Sequence, residues 1–325
     1  MNDGLTPAVY AALGAFAVNI ILCPILIPFL MKLKFGQYVR DDGPKEHLKK
    51  TGTPTMGGIV IIFSFALISA FFLRGNPDAI AVVAITVAFA IIGFIDDYIK
   101  VVKKRSLGLK AWPKLIMQLI ATGFFVFYLY SAGDSKMAIS EIYVPFMDKT
   151  IDLGLFYIPF VFVVIMGSVN GANFTDGLDG LASGVTVLVA AFFLFAAWAL
   201  EHPAMPLAGA AVGSLLGFLL FNSYPARIIM GDTGSEALGG FVAAFAIILK
   251  MPLFIAIVAM IYLIEVLSVI IQVGYFKLTH KRFFKMAPIH HSFELSGWSE
   301  TKVVALFYVV TAILCLIGYL GGRHI

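Results

Sequence analysis

Charge is scarce in this sequence. Asp, Glu, Lys and Arg make up 13% of its 325 residues, and 60% are hydrophobic. Soluble globular domains carry about one-quarter charged residues, so a soluble fold is excluded. Mean hydropathy is +0.95. The apolar residues run continuously rather than alternating with polar ones, which excludes a membrane β-barrel and leaves a helical membrane protein. Cysteine is nearly absent. Cys23 and Cys315 both lie inside apolar runs, where thiols act as small buried hydrophobes and say nothing of redox compartment. The N-terminal MNDGLTPAVY has no basic stretch, so no cleaved signal peptide is expected. Internal repeats and low-complexity tracts are also lacking, and residues 1–325 read as one integral-membrane domain. Nucleic acid is not an expected partner; the lipid bilayer is.

A span needs roughly 17–25 apolar residues. Ten runs qualify as candidates: 9–31, 56–73, 79–95, 113–130, 156–169, 181–199, 207–221, 238–249, 253–276 and 303–320. The runs 156–169 and 238–249 are short, and 253–276 is long enough to tilt or protrude. The expected fold is therefore all-α, a polytopic bundle of ten transmembrane helices. Ten crossings put both termini on one side. Of the 23 lysines and arginines, eighteen fall in the loops 32–55, 96–114, 170–180, 222–237 and 277–302. Basic loops stay cytoplasmic, which places both termini outside. Segment 138–153 reads as a small external hairpin.

Acidic residues gather on the basic side. Asp96 and Asp97 close the third run, in GFIDDYIKVVKKR. Asp176 and Asp179 stand in NGANFTDGLDG, and Asp232 in MGDTGSE. Adjacent carboxylates at a membrane edge repel unless a cation lies between them, and a metal is one such cation. Acids that merely line loops are the plainer alternative. The glycines and hydroxyls of GDTGS, just ahead of a span, suit an anion at a helix N-terminus, though such turns also only cap helices. Asn170, Asn173, Asp176 and Asp179 recur every three residues, which stacks them on one helical face.

His280, His290 and His291 lie in KLTHKRFFKMAPIHHSFELSGW. Neighbouring His290 and His291 cannot face one way on a helix, so one faces the site and the other packs or supports it. An i,i+4 histidine pair is missing and neither cysteine is near, which argues against zinc. Contact with anionic lipid accounts for Lys281, Arg282 and Lys285 but not for the histidines. Glu265 and Gln272, seven apart in the ninth run, share a face turned to the bundle interior or make a helix–helix hydrogen bond.

Taken together these segments resemble the phospho-N-acetylmuramoyl-pentapeptide transferases, a branch of the polyprenyl-phosphate sugar-1-phosphate transferases. The matching pieces are KKTGTPTMGG (49–58), IDDYIKVVKK (95–104), NFTDGLDGLA (173–182), MGDTGSEALGG (230–240) and KMAPIHHSFE (285–294). They come in the family's order and span nearly the whole chain. One departure is Ser292, where the family commonly has a third histidine.

The resemblance implies transfer of phospho-MurNAc-pentapeptide from UDP-MurNAc-pentapeptide to undecaprenyl phosphate, giving lipid I and UMP. It implies Mg²⁺, a site on the cytoplasmic face of the bacterial plasma membrane, and a homodimer. By match, Asp232 is the first choice as metal ligand. Asp96 and Asp97 follow as base, nucleophile or further metal contacts, and His290 is the remaining catalytic candidate. Lys100 and Lys114 would hold diphosphate charge, and Asn173, Asp176 and Asn222 the nucleotide. Asn170, Gln272 and His291 are further substrate-binding candidates, and Lys49, Lys50, Thr53 and Thr55 would close one side of the pocket. A sister transferase using another UDP-sugar, such as UDP-N-acetylglucosamine, remains an alternative. An ion-coupled transporter is a remote one.

Overall fold

The computed structural model describes residues 3–33, 52–103, 107–132 and 139–323. Lys49 and Lys50 lie outside them. In chain order the elements are α1 (Thr6–Lys32), α2 (Gly58–Ser69), α3 (Pro77–Val102), α4 (Ala111–Ala132), β1 (Glu141–Val144) and β2 (Lys149–Asp152). There follow α5 (Tyr157–Thr175), α6 (Leu181–Ala199), α7 (Met205–Asn222), α8 (Asp232–Ile248), α9 (Ile255–Val258), α10 (Met260–Thr279), α11 (Ile289–Glu294) and α12 (Glu300–Gly322). Among the described residues, eight helices are long and apolar enough to cross a membrane: α1, α3, α4, α5, α6, α7, α10 and α12.

Each of the ten apolar runs coincides with helix, but the correspondence differs at three places. The run 253–276 is not one helix. It breaks at Ala259 into a 3₁₀ turn with α9, then α10. The run 238–249 starts six residues earlier than its apolar stretch, because Asp232 is already the first residue of α8. Asp96 and Asp97 lie within α3 rather than at its end, since that helix continues to Val102. The expected hairpin is present: β1 and β2 pair antiparallel, Ile142 opposite Ile151.

Local chemistry sets the helix ends. Asn76 caps α3, its side chain accepting from Ala79 N–H at 3.0 Å, with Pro77 at the first helical turn. Gly180, at φ +80°, makes the left-handed turn into α6.

Helix α8 is the axis of the bundle. Every residue from Thr233 to Ile248 is buried, and α2, α3, α5 and α6 surround it. Small residues set these distances. A Cβ on Gly58 of α2 would overlap the backbone of Gly234, and one on Gly93 of α3 would overlap the carbonyl of Asp232. In lipid, apolar surface gives helices no preference for one another over the solvent. Close backbone approach through glycine is how they associate. Helix α10 leaves the bundle partway. Its buried residues, Ile261, Tyr262, Glu265 and Ser268, all lie in its first half.

Candidate active site

The N-terminus of α8 is held by α3. Asp97, 2% exposed, accepts from Asp232 N–H at 3.1 Å, Thr233 N–H at 2.9 Å and Thr233 Oγ1 at 2.8 Å. An N-cap usually comes from the residue just before the helix. Here that residue is Gly231, at φ +75°, and the cap arrives from 135 residues earlier in the chain. A Cβ on Gly231 would press on Asp97 Oδ2 at 2.6 Å.

This cap brings Asp96, Asp97 and Asp232 together, with one ligand oxygen from each within 4.8 Å of the others. Lys100, one turn along α3, sits among them. Its Nζ is 2.7 Å from Asp96 Oδ2, 2.7 Å from Asp232 Oδ1 and 3.5 Å from Asp97 Oδ1. Asp96 also accepts from Leu109 N–H at 2.7 Å.

A second lysine binds from α4. Lys114 Nζ bridges Asp232 Oδ2 at 2.7 Å and Glu236 Oε1 at 2.6 Å. Glu236 is fully buried, and its other oxygen accepts from Gln118 at 3.0 Å. Gln118 in turn accepts from Asn170 at 3.2 Å. Asp232 and Glu236 are one turn apart on α8, as Lys114 and Gln118 are on α4, so two i,i+4 pairs meet face to face. Neither Glu236 nor Gln118 was singled out from sequence, though both spacings were visible there.

By formal charge, Asp96, Asp97, Asp232 and Glu236 carry four negatives against the two lysines. The excess of two is that of one divalent cation. The oxygen-only donor set suits a hard ion such as Mg²⁺ or Mn²⁺, and Lys100 already occupies the place of a cation among the three aspartates. The residues therefore fit a divalent metal, which Asp232, Asp96 and Asp97 could hold.

Neighbouring loops close round this cluster. The segment 54–58 is stitched to 229–230 by three backbone bonds: Ile229 N–H to Pro54 C=O at 2.8 Å, Gly57 N–H to Ile229 C=O at 2.9 Å and Gly58 N–H to Met230 C=O at 2.8 Å. A Cβ on Gly231 would also meet Thr55 Oγ1 at 3.1 Å, so that hydroxyl borders the cluster. Thr53 is half-buried two residues before it. Asp176 accepts from Gly231 N–H at 3.1 Å. Burial, then the charges of Asp232 and Asp97, push its carboxyl well above the usual carboxylate range.

A model of glycosyl transferase family 4 matches residues 79–250, which hold Asp96, Asp97, Lys100, Lys114, Asp176 and Asp232. The phospho-N-acetylmuramoyl-pentapeptide-transferase of Acetivibrio thermocellus is 51% identical over 323 residues, covering 98% of this chain and 96% of its own. That of Clostridioides difficile is 50% identical over 323 residues, covering 99% of each. The chain belongs to this transferase family. The resemblance read from the motifs is borne out.

Other transferase candidates lie in different surroundings. Asn173 donates to Ser235 Oγ at 3.0 Å, beside the start of α8. Asn170 is a turn deeper, at the end of the Gln118 chain. Asn222 is 3% exposed and bonded on both sides, accepting from Ser183 at 2.6 Å and donating to Ile228 C=O at 3.0 Å. Gln272 accepts from Phe283 N–H at 3.1 Å and Phe284 N–H at 2.9 Å, fixing the loop after α10. His290 is 1% exposed and His291 half-buried, the latter with Nδ1 2.8 Å from Glu294. Ser292 Oγ accepts from Met286 N–H at 3.1 Å and donates to Met286 C=O at 2.5 Å, so it clamps the preceding loop.

Proposed function

We propose that the protein transfers phospho-MurNAc-pentapeptide from its UDP conjugate to undecaprenyl phosphate, giving lipid I and UMP. One observation carries the reading beyond family membership. Three carboxylates converge on one place, with two lysines among them, in a bundle of membrane-length helices. A polyprenyl chain needs bilayer and a nucleotide needs water, so the site lies at a membrane edge. Helices α2 and α8 complete ten crossings, the termini face outward, and the carboxylates face the cytoplasm at the bacterial plasma membrane. The working unit is a homodimer.

Mg²⁺, when bound, supplies charge neutralisation to the diphosphate. Asp232 would be its principal holder, with Asp96 and Asp97 beside it. The lysines do the remaining electrostatic work. Lys100, released from the aspartates, and Lys114, fixed between Asp232 and Glu236, face the diphosphate oxygens. An oxygen of the lipid phosphate attacks the β-phosphorus, the α–β bridging P–O bond breaks, and UMP leaves. Direct attack is supported by the occupancy of the two neighbouring acids. Asp97 accepts three hydrogen bonds, and both oxygens of Asp96 are engaged. Asp97 is the acid this argues against most directly, since its hydrogen bonds hold the head of α8 whether or not Lys100 moves.

Purified protein in detergent, given UDP-MurNAc-pentapeptide, undecaprenyl phosphate and Mg²⁺, is expected to form lipid I. Product from UDP-N-acetylglucosamine alone would move the assignment to a sister transferase. Absence of UMP release with either sugar would end the transferase reading. Protein stripped of endogenous lipid phosphate is expected not to exchange radiolabelled UMP into the nucleotide sugar. Exchange that persists there and disappears in an Asp96 or Asp97 variant would establish a phospho-enzyme instead.

A further inference from the structure

His290 is held in place by a residue that lies outside the carboxylate cluster. Glu265 of α10 is fully buried. Its Oε2 accepts from Ile289 N–H at 2.9 Å, and its Oε1 lies 3.1 Å from His290 Nδ1. A carboxylate in its ionised form only accepts, and opposite such a group Nδ1 would be the donor of that bond. The opposite nitrogen is then the one with chemistry left to do. Nε2 is buried and has no hydrogen-bond partner among the described residues. Buried ring nitrogens are rarely left so. Nε2 is aimed at the loop after α5. A Cβ built on Gly177 would overlap it, and the adjacent residue, Asp176, bonds to Gly231 at the head of α8.

We infer that Glu265 is a positioning residue for the transfer reaction: it fixes the tautomer of His290 and stabilises its imidazolium, so that Nε2 meets a phosphate oxygen of the bound diphosphate. This rests on the transferase reading above. Physically it is the carboxylate–imidazole logic of the hydrolase triads, applied to a phosphate ligand. The alternative is that Glu265 merely caps α11 through Ile289. Glu265→Gln separates the two. The amide oxygen keeps the Ile289 bond, while the amide N–H₂ faces Nδ1, forces it to accept and disfavours the imidazolium.

The experiment compares wild type, Glu265→Gln, His290→Asn and the double variant, assayed with UDP-MurNAc-pentapeptide and undecaprenyl phosphate. Glu265→Gln is expected to lose about 100-fold in kcat with KM for the nucleotide within about threefold of wild type. The double variant is expected to be no slower than His290→Asn by more than about threefold, because both changes act through one ring. A rate for Glu265→Gln within about threefold of wild type, or losses that multiply in the double variant, overturns the proposal. The second measurement needs no active variant. Nitrogen-15 spectra of histidine-labelled wild type, with His290 assigned by its loss in His290→Asn, are expected to show a protonated Nδ1. A bare Nδ1 overturns the proposal even if Glu265→Gln fails to fold, and His290→Gln supplies the assignment if His290→Asn does not fold. If wild type makes no lipid I, the functional reading fails, and the spectrum still decides the tautomer.

Discussion

Asp97 gives both oxygens to the head of α8, whereas Asp96 faces Lys100 and the loop at Leu109. The two neighbours therefore differ in what their loss does. Asp96→Asn is expected to lose rate with thermal stability near wild type, because its amide oxygen still accepts from Leu109. Asp97→Asn is expected to lose rate and also about 2 kcal/mol of stability, since one oxygen is left for three donors. Thermal unfolding in detergent beside lipid I assays checks this pair, and equal stability in both would remove the capping role. Asp232→Asn keeps size and removes charge, and its rate is expected to fall about 10³-fold, roughly 4 kcal/mol of barrier. An unchanged rate and Mg²⁺ dependence would take Asp232 out of the site. At this scale the sequence showed which acids to watch, through motif and crowding. It did not show that Asp97 is a cap, because capping across 135 residues has no local signature. Glu236 and Gln118 escaped for a related reason. Each i,i+4 pair was legible on its own helix, but nothing in one helix names the helix it will face.

Helices were legible where apolar runs set them. The run 181–199 is α6 itself, and the hairpin expected within 138–153 is the pair β1 and β2. The head of α8 was not, since GDTGSE is polar and glycine-bearing and its first amides are satisfied by Asp97 of another helix. The break at Ala259 likewise falls inside a uniformly apolar run, with no Pro or Gly at the break to mark it. The packing of α2 on α8 yields a test at this scale. Gly58→Ala places a methyl into the backbone of Gly234, two residues from Asp232 on α8. A loss of about 3 kcal/mol in stability, with a fall in rate, is expected. Gly274→Ala on α10 is the control, because nothing lies within 4 Å of a Cβ there. If both variants unfold alike, close packing at Gly58 is not what holds α2.

At the scale of the whole molecule, the open question is which loops face which side of the membrane. Sequence charge predicts an answer, through the eighteen basic residues on one set of loops. Leu107 and Lys149 are exposed and lie on loops assigned to opposite sides, whereas Cys23 is buried. In intact cells an impermeant thiol reagent is expected to label Lys149→Cys and spare Leu107→Cys, which reacts only after the cells are opened. Labelling of both from outside would overturn the arrangement of ten crossings.

Lys100 lies where a metal would lie, and this bears on how the protein lives without one. Three carboxylates crowded in a bilayer-embedded bundle would ordinarily force their helices apart once a cation left. A tethered ammonium in that place keeps α3 and α8 together, so a metal bound there would be a visitor and not a keystone. Treatment with a chelator is then expected to abolish lipid I formation while lowering Tm by less than about 2 °C, with full recovery on adding Mg²⁺. Lys100→Met removes the stand-in, and that protein is expected to need the metal simply to stay folded.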